Sequence, residues 1–455
     1  MRRYRSAPRT RQASAVQCRR RFNHDKNFSL QKEIDTNTLT DQQAAVDAVP
    51  LEEIDVSRPE LFQNDAWRPW FARLRSEAPV HYLADSVNGP FWSVTNHRLI
   101  KDVDTNHEVF SSEAGGIAIV ELDEVNTEEM ESESFIGLDP PRHSPQRQSV
   151  APAVSPQNLV QLEPLIRERA IDILENLPIG ETFNWVQEVS IELTGRMLAT
   201  LFDFPYEERH KLIHWSDIAT AVPQVTGDDT IDMTKRYEEL MQAAGAFYQL
   251  WGERAAAPPK FDLISMLAHG EATRTMNEDP GLFLGTLMLL IVGGNDTTRN
   301  SISGGVIALN EHPDEYNKLR DNPKLIPNMV SEIIRWQTPV IHMRRTALRD
   351  FELGGQHIQE GDKVVMWYLS GNRDENVFEN ADELIIDRPN ARAHVAFGFG
   401  IHRCMGNRLA ELQLRVLWEE IVKRFHTIEV VDEVTRLPNN FIRGIKDVPV
   451  RLQPI

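Results

Sequence analysis

One cysteine stands where its chemistry would be sharpened. The run Phe397-Gly398-Phe399-Gly400-Ile401-His402-Arg403-Cys404-Met405-Gly406 is a glycine-rich bend. Apolar Leu409, Leu412, Val416, Leu417, Ile421 and Phe425 follow it at helical spacing. Cys404 is therefore expected at the head of an amphipathic helix, where backbone N–H groups favour a thiolate. The glycines let the backbone approach a flat ligand closely. His402 and Arg403 offer donors to anionic groups beside it. These features suit a thiolate ligand to a haem iron; the bland alternative is an inert cysteine buried in a turn.

Two further groups of residues carry spacing that chemistry could use. Gly293-Gly294-Asn295-Asp296-Thr297-Thr298 lies inside a helical pattern from about Pro280 to Asn310. Adjacent glycines cost roughly 1 kcal/mol each in a helix interior, and a chain tolerates that where a ligand needs the space. The alternative is a helix kink with ordinary polar residues. In Glu332-Ile333-Ile334-Arg335 the acid and the base are three apart, so they share a helix face and can pair.

The cysteine run resembles the cysteine loop of the cytochrome P-450 family, Phe-Gly-x-Gly-x-His-x-Cys-x-Gly, at all six fixed positions. The resemblance implies a mainly α fold with a smaller β-rich part. It implies haem b as cofactor, held by Phe397, His402 and Cys404, with Cys404 the axial ligand to iron. It makes the glycine helix the one that crosses the haem, with Gly293 leaving room for dioxygen and with Asp296 and Thr297 relaying protons. That role is chemically reasonable, since splitting O–O to release water needs two protons. It buries Glu332 and Arg335 with Arg388, locking the meander under the cysteine loop. It places His143, Arg147, Arg345 and His394 near the haem propionates, where an arginine fork suits a carboxylate. Arg344 is the alternative to Arg345.

If Thr297 faces the haem, helical geometry puts Gly293 and Leu289 on the same face, with Val292 beside them. By the family's pattern Phe135, Ile136, Val340, Ile341, Phe441 and Ile442 line the same cavity. All are apolar, which suits an alkyl chain at about 0.8 kcal/mol per buried methylene. Three runs, Leu201 to Leu212, Ile291 to Asn300 and Met405 to Leu414, resemble the bacterial subgroup that hydroxylates the terminal carbon of alkanes and fatty acids. The expected activity is therefore terminal hydroxylation of a medium-chain alkane or fatty acid with O2. A steroid or terpenoid side-chain hydroxylase is the nearest alternative. A peroxygenase or a haem sensor is disfavoured by the intact Asp296-Thr297 pair.

Composition narrows the setting. Lys+Arg 49 against Asp+Glu 68 leaves a net charge of −19, a poor match for nucleic acid. The two cysteines, Cys18 and Cys404, are too few for a four-cysteine zinc site or an iron–sulfur cluster held by this chain. They also leave no disulfide framework, consistent with a reducing cytoplasm. Electrons are expected from separate partners, by resemblance a ferredoxin and its NAD(P)H-dependent reductase. Arg142, Arg403, Arg408 and Arg415 are candidates for the docking patch. The longest apolar run, Phe283 to Val292, is too short for a membrane span of about 20 residues.

Residues 1–24 hold eight arginines and no acid, so residues 1–40 are expected to form a basic, disordered leader. Residues 41–455 are expected to form a single catalytic domain. Within it, Trp67 to Ala78 reads as a helix. Val80 to Leu83 and Phe91 to Val94 read as a hairpin closed by Asn88-Gly89-Pro90. Ser111 to Leu138 reads as an acidic loop, and residues 156 to 336 as helices. Arg345 to Leu353 and Lys363 to Tyr368 read as β, and Asn372 to Asn390 as a meander.

Overall fold

The computed structural model describes residues 43–120, 133–228 and 230–455. The expected leader, with Cys18, and the centre of the expected acidic loop lie outside the described residues. The chain divides into two compact units, Met1–Ile54 and Asp55–Ile455. The described part of the first ends in a short 3-10 turn, Leu51–Glu53. The second carries the helices, the sheets and the site.

Helices dominate the second unit, with a smaller β part, as expected. In chain order the longer ones are α1 (Arg68–Glu77), α2 (His97–Thr105), α3 (His143–Val150), α4 (Pro156–Glu175), α5 (Glu192–Phe202), α6 (Arg209–Thr220), α7 (Met233–Ala255), α8 (Leu263–His269), α9 (Pro280–Glu311), α10 (Pro313–Asp321), α11 (Ile326–Gln337) and α12 (Asn407–Ile421).

The organising element is α9. Asp279 caps it by accepting from the Leu282 N–H at 3.0 Å, and Pro280 occupies its first turn. Its first half, from Phe283 to Ile291, packs into a core with residues of α5, α6, α7 and α8. Its second half, from Ile302 to Leu309, packs into another core with α4, α11 and α12. This helix is long and apolar enough to cross a membrane, but more than half of that stretch is buried inside the protein, which is how a core helix reads. Gly294 serves close packing: a Cβ there would come within 2.9 Å of the Leu198 side chain on α5.

The β part has a core of its own. Strands β1 (Val80–Leu83) and β2 (Phe91–Val94) pair antiparallel from Val80↔Val94 to Leu83↔Phe91, the hairpin read from sequence. With β3 (Phe110–Ser111), β5 (Met343–Ala347) and β8 (Lys363–Met366) they form one sheet in the order β1-β2-β8-β5-β3. β2 and β8 run parallel in it. Strand β4 (Phe183–Asn184) pairs with β12 (Pro449–Pro454), which also pairs with β9 (Phe425–Val430). β6 (Phe351–Leu353) and β7 (Gln356–Ile358) make a separate hairpin, and β10 (Thr435–Arg436) pairs with β11 (Ile445–Asp447). The stretch read as dominated by helices also contains one short strand, β4, and a π-helical turn at Val186–Ile191.

The meander buries Leu384 and Ile386 in the core shared with α11 and is also held by charge. Arg335 on α11 donates two hydrogen bonds of 2.7 Å to the Glu332 carboxylate. Its other N–H groups reach the carbonyls of Asn372, Ala381 and Glu383 at 2.6–2.8 Å. Arg388 donates to Glu332 at 3.0 Å, and so does the Ile385 N–H. Glu332, Arg335 and Arg388 are therefore brought together, buried and saturated.

Candidate active site

The cysteine loop is shaped by its glycines. Gly398 and Gly400 have φ of +64° and +66°, a region that side chains rarely adopt. A Cβ on Gly400 would also run into the Asp104 carbonyl of α2. The loop closes with the Cys404 N–H donating to Phe397 O at 2.8 Å. The sulfur then lies just ahead of α12 and accepts from the N–H groups of Gly406 and Asn407. Surrounding protein raises the thiol pKa, while those N–H groups, Arg147 and Arg403 oppose the rise. The side chain is nonetheless accessible, because it opens onto an internal cavity of about 520 Å3.

Most expected site residues border that cavity. Phe397, His402, Arg147, Arg345, Gly293, Thr297, Leu289, Val292, Phe135, Ile136, Val340, Phe441 and Ile442 all line it with Cys404. Four expected residues, Ile341, His394, His143 and Asp296, do not. Ile341 is fully buried but faces away; its N–H donates to Phe441 O at 2.9 Å, and its carbonyl accepts from Leu369 N. Val340 bridges Ile442, and successive residues of extended chain point to opposite sides, so only one of the pair can face inward. His394 lies behind Phe397, with its ring centroid 5.3 Å away and its Nδ1 accepting from Ala396 N. Burial foremost, then Arg335, pushes its pKa down to about 3. His143 stands against His402, ring centroids 4.4 Å apart, rather than on the wall.

The same alternation separates the two candidate arginines. Arg345 borders the cavity, while Arg344 turns the other way and donates to Val120 O at 3.1 Å. Arg345 is oriented by a residue with no local signature in the sequence. Asp104 accepts from Arg345 at 2.9 Å, from the Tyr368 hydroxyl at 2.9 Å and from the Phe399 N–H at 2.6 Å. One buried carboxylate thus ties the cysteine loop to the cavity's arginine. Burial raises its pKa, and Arg345 opposes the rise.

Four donors gather near the cysteine. Arg147 donates to the Arg403 carbonyl. Both ring nitrogens of His402 and the Nε2 of His143 are buried without a hydrogen-bond partner. Burial above all, then Arg345 and His143, pushes His402 down to about 2, so it is neutral. Orphaned buried nitrogens call for a ligand with acceptors. A flat ring bearing carboxylates, ligated by a thiolate, fits these residues: Cys404 for the iron, and Arg147, Arg345, His143 and His402 for the carboxylates.

On the other side, Thr297 faces the cavity and donates to Gly293 O at 2.9 Å. Asp296 points away and is buried. It accepts from Ser216 Oγ and from Asn295 Nδ2, each at 3.2 Å, and pairs with Arg299 at 2.7 Å. Arg299 in turn reaches Asp217 on α6 at 2.6 Å. Burial, only partly offset by Arg299, pushes Asp296 up to about 6. Sequence reasoning missed Arg299, although its i,i+3 spacing from Asp296 was a usable signal. A carboxyl that titrates near neutrality beside a cavity hydroxyl can pass protons inward.

Fold and site together define a haem-thiolate enzyme. The cytochrome P450 family model matches residues 157–450, and the chain belongs to that family. It is a haem b monooxygenase. It is 38% identical over 417 residues to linalool 8-monooxygenase from Pseudomonas putida, covering 89% of this chain and 100% of that protein. It is 31% identical to a steroid C26-monooxygenase from Mycobacterium tuberculosis, over 86% of this chain and 91% of the other. Among solved structures, cytochrome P450-153 from Novosphingobium aromaticivorans superposes with a TM-score of 0.81 at 45% identity, covering 88% of this chain and all of that one.

Proposed function

We propose that the protein hydroxylates the terminal methyl of a medium-chain alkane or fatty acid. The observation that carries this reading is the cavity wall. Phe135, Ile136, Leu289, Val292, Val340, Phe441 and Ile442, from four separate segments, enclose the space that Cys404 and Thr297 also border. Such a wall rewards an extended hydrocarbon at about 0.8 kcal/mol per methylene. The similar runs in α5–α6, α9 and α12 point the same way. The relatives' names agree in kind, since carbon 8 of linalool and carbon 26 of a steroid are both methyl carbons at the end of a branched apolar chain.

Haem bound at Cys404 supplies dioxygen activation: with two electrons and two protons, one oxygen atom enters the C–H bond and the other leaves as water. The chain's own residues do the rest. Cys404, flanked by the Gly406 and Asn407 N–H groups, would be the protein ligand to the iron. Arg147, Arg345, His143 and His402 would hold the carboxylates of the ring. Gly293 keeps the α9 wall open, since nothing lies within 4 Å of where its Cβ would be. The Thr297 hydroxyl donates toward the cavity once it releases Gly293 O, and Asp296 resupplies the proton from the α6 side. The electrons come from a ferredoxin and its NAD(P)H-dependent reductase.

A terminal C–H is harder to cleave than its methylene neighbour, so shape must impose the choice. One methylene's worth of contact gives about 10–200-fold selection. Leu289→Ala should therefore raise the share of penultimate-carbon alcohol several-fold, at about unchanged total turnover, as read by gas chromatography. Spectral titration of the wild type with alkanes, fatty acids, linalool and sterols is the companion measurement. Mostly in-chain alcohols, or acceptance of sterols with refusal of linear chains, would overturn the terminal-chain reading.

A further inference from the structure

Among the described residues three arginines border the cavity, Arg147, Arg236 and Arg345, and none of the lining residues is an acid. Two of the three are already engaged near the cysteine. Arg147 donates to the Arg403 carbonyl, and Arg345 pairs with Asp104, which also holds the Phe399 N–H. Arg236 is different. It sits on α7, 8% exposed, among Ala219, Thr220, Val222 and Leu240 on a wall built by α6, α7 and the segment between them.

Its guanidinium has five N–H bonds. Nε donates to Ile218 O at 3.1 Å and Nη2 to Ala219 O at 3.0 Å, which satisfies the last carbonyls of α6. Among the described residues the remaining three have no partner, and no carboxylate pairs with Arg236. Burial lowers its pKa with no opposing charge nearby. A desolvated cation without a counter-ion is costly to hold in an apolar enclosure. It is retained at low cost if the ligand brings the anion.

We infer that Arg236 is a subsite for the carboxylate of the substrate, so that the favoured substrates are fatty acids rather than alkanes. This rests on the terminal-chain reading above and adds the head of the chain to it. The methyl end lies on the Thr297 and Cys404 side, and the carboxylate meets the free fork of Arg236 on the α6–α7 wall. Two parallel N–H···O bonds to a carboxylate are the geometry that a guanidinium offers. The α9 face along the cavity, from Leu284 to Ser301, is about 25 Å long at 1.5 Å per residue, room for an extended chain.

The test compares decanoic acid, methyl decanoate and decane by spectral titration of the haem-loaded enzyme, for wild type, Arg236→Gln and Arg236→Lys. Glutamine keeps donors for the Ile218 and Ala219 carbonyls and removes the charge. Wild type should bind the acid about 10–100-fold tighter than the ester, the range of a charge-assisted hydrogen bond. Arg236→Gln should erase that margin and leave the ester and decane within about twofold of wild type. Arg236→Lys should retain part of it. No preference for acid over ester in the wild type, or an equal loss for all three ligands in Arg236→Gln, overturns the subsite. Should the glutamine variant fail to fold, the wild-type ratio and the lysine variant decide. Refusal of all three ligands would instead overturn the terminal-chain reading, so the two failures are distinct.

Discussion

Glu332 and Asp296 are each a buried acid with an arginine three residues further along its helix, yet the two pairs behave as opposites. Around Glu332 every partner is internal. Arg335 spends its remaining N–H groups on three meander carbonyls, and Arg388 closes the far side. Both Glu332 and Arg335 side chains are 0% exposed. Around Asp296 the chain of partners leads outward, because Arg299 ends on Asp217, whose side chain is 50% exposed. The same i,i+3 spacing therefore locks one region and leaves the other in protonic contact with solvent. What differs is whether the arginine's second face meets carbonyls or an exposed carboxylate.

The largest expected effect follows from the closed cluster. Glu332→Ala leaves two buried guanidiniums without their acid, a loss of about 3–5 kcal/mol. A domain is typically stable by only about 5–15 kcal/mol, and the meander underlies the cysteine loop. The variant should show a much lower melting temperature and little bound haem per protein. Wild-type melting and haem content in Glu332→Ala would show that the two clusters do not differ in kind.

The open cluster should fail in function rather than folding. Asp296→Asn keeps the volume and can still receive the Ser216 hydrogen bond, so melting should shift little. Turnover should fall about 100-fold, the lower end for loss of a positioned acid. The sign of the pH dependence is fixed by the raised pKa of about 6. Asp296 carries its proton below that pH and loses it above. Alcohol formed per NAD(P)H should therefore fall as pH rises through about 6 in the wild type, and run flat there in Asp296→Asn. An unchanged inflection in the variant would assign the titration to another group.

How legible all this was in the sequence depends on how local each interaction is. The β1–β2 hairpin, α9, the helix after Cys404 and the Glu332–Arg335 pair are set by neighbours within a few residues, and they appear where expected. The cysteine loop was legible because glycines at fixed offsets carry its backbone conformation. Ile341 failed because a two-residue motif was read as if both side chains faced one way, against the alternation of extended chain. Asp104 had no signal: it meets Arg345 241 residues away and the Phe399 N–H 295 residues away. Arg236 likewise looks like any arginine on an amphipathic helix until the cavity is closed around it.

An exposed arginine completes the series and should give the smallest effect. Arg142 pairs with Glu113 at 2.9 Å and with Glu133, all three side chains well exposed. Such pairs contribute at most about 1 kcal/mol. Arg142 was expected to join Arg403, Arg408 and Arg415 in receiving an acidic ferredoxin. Arg415 is likewise taken, by Glu163 at 2.8 Å and Glu419 at 2.9 Å. A cation already matched by two carboxylates offers an incoming acidic surface little net field. Arg403, Arg408 and Arg392 stand otherwise, three cations around the one acid Glu411. Docking should therefore depend on Arg408 and not on Arg142. In steady-state turnover, Arg408→Ala should raise the KM for ferredoxin a few-fold at low salt, while Arg142→Ala leaves it unchanged. The difference should fade as the Debye length shrinks from about 30 Å at 0.01 M to about 8 Å at 0.15 M. Equal effects from the two variants would return Arg142 to the docking face and show that its two glutamates release it when a partner arrives.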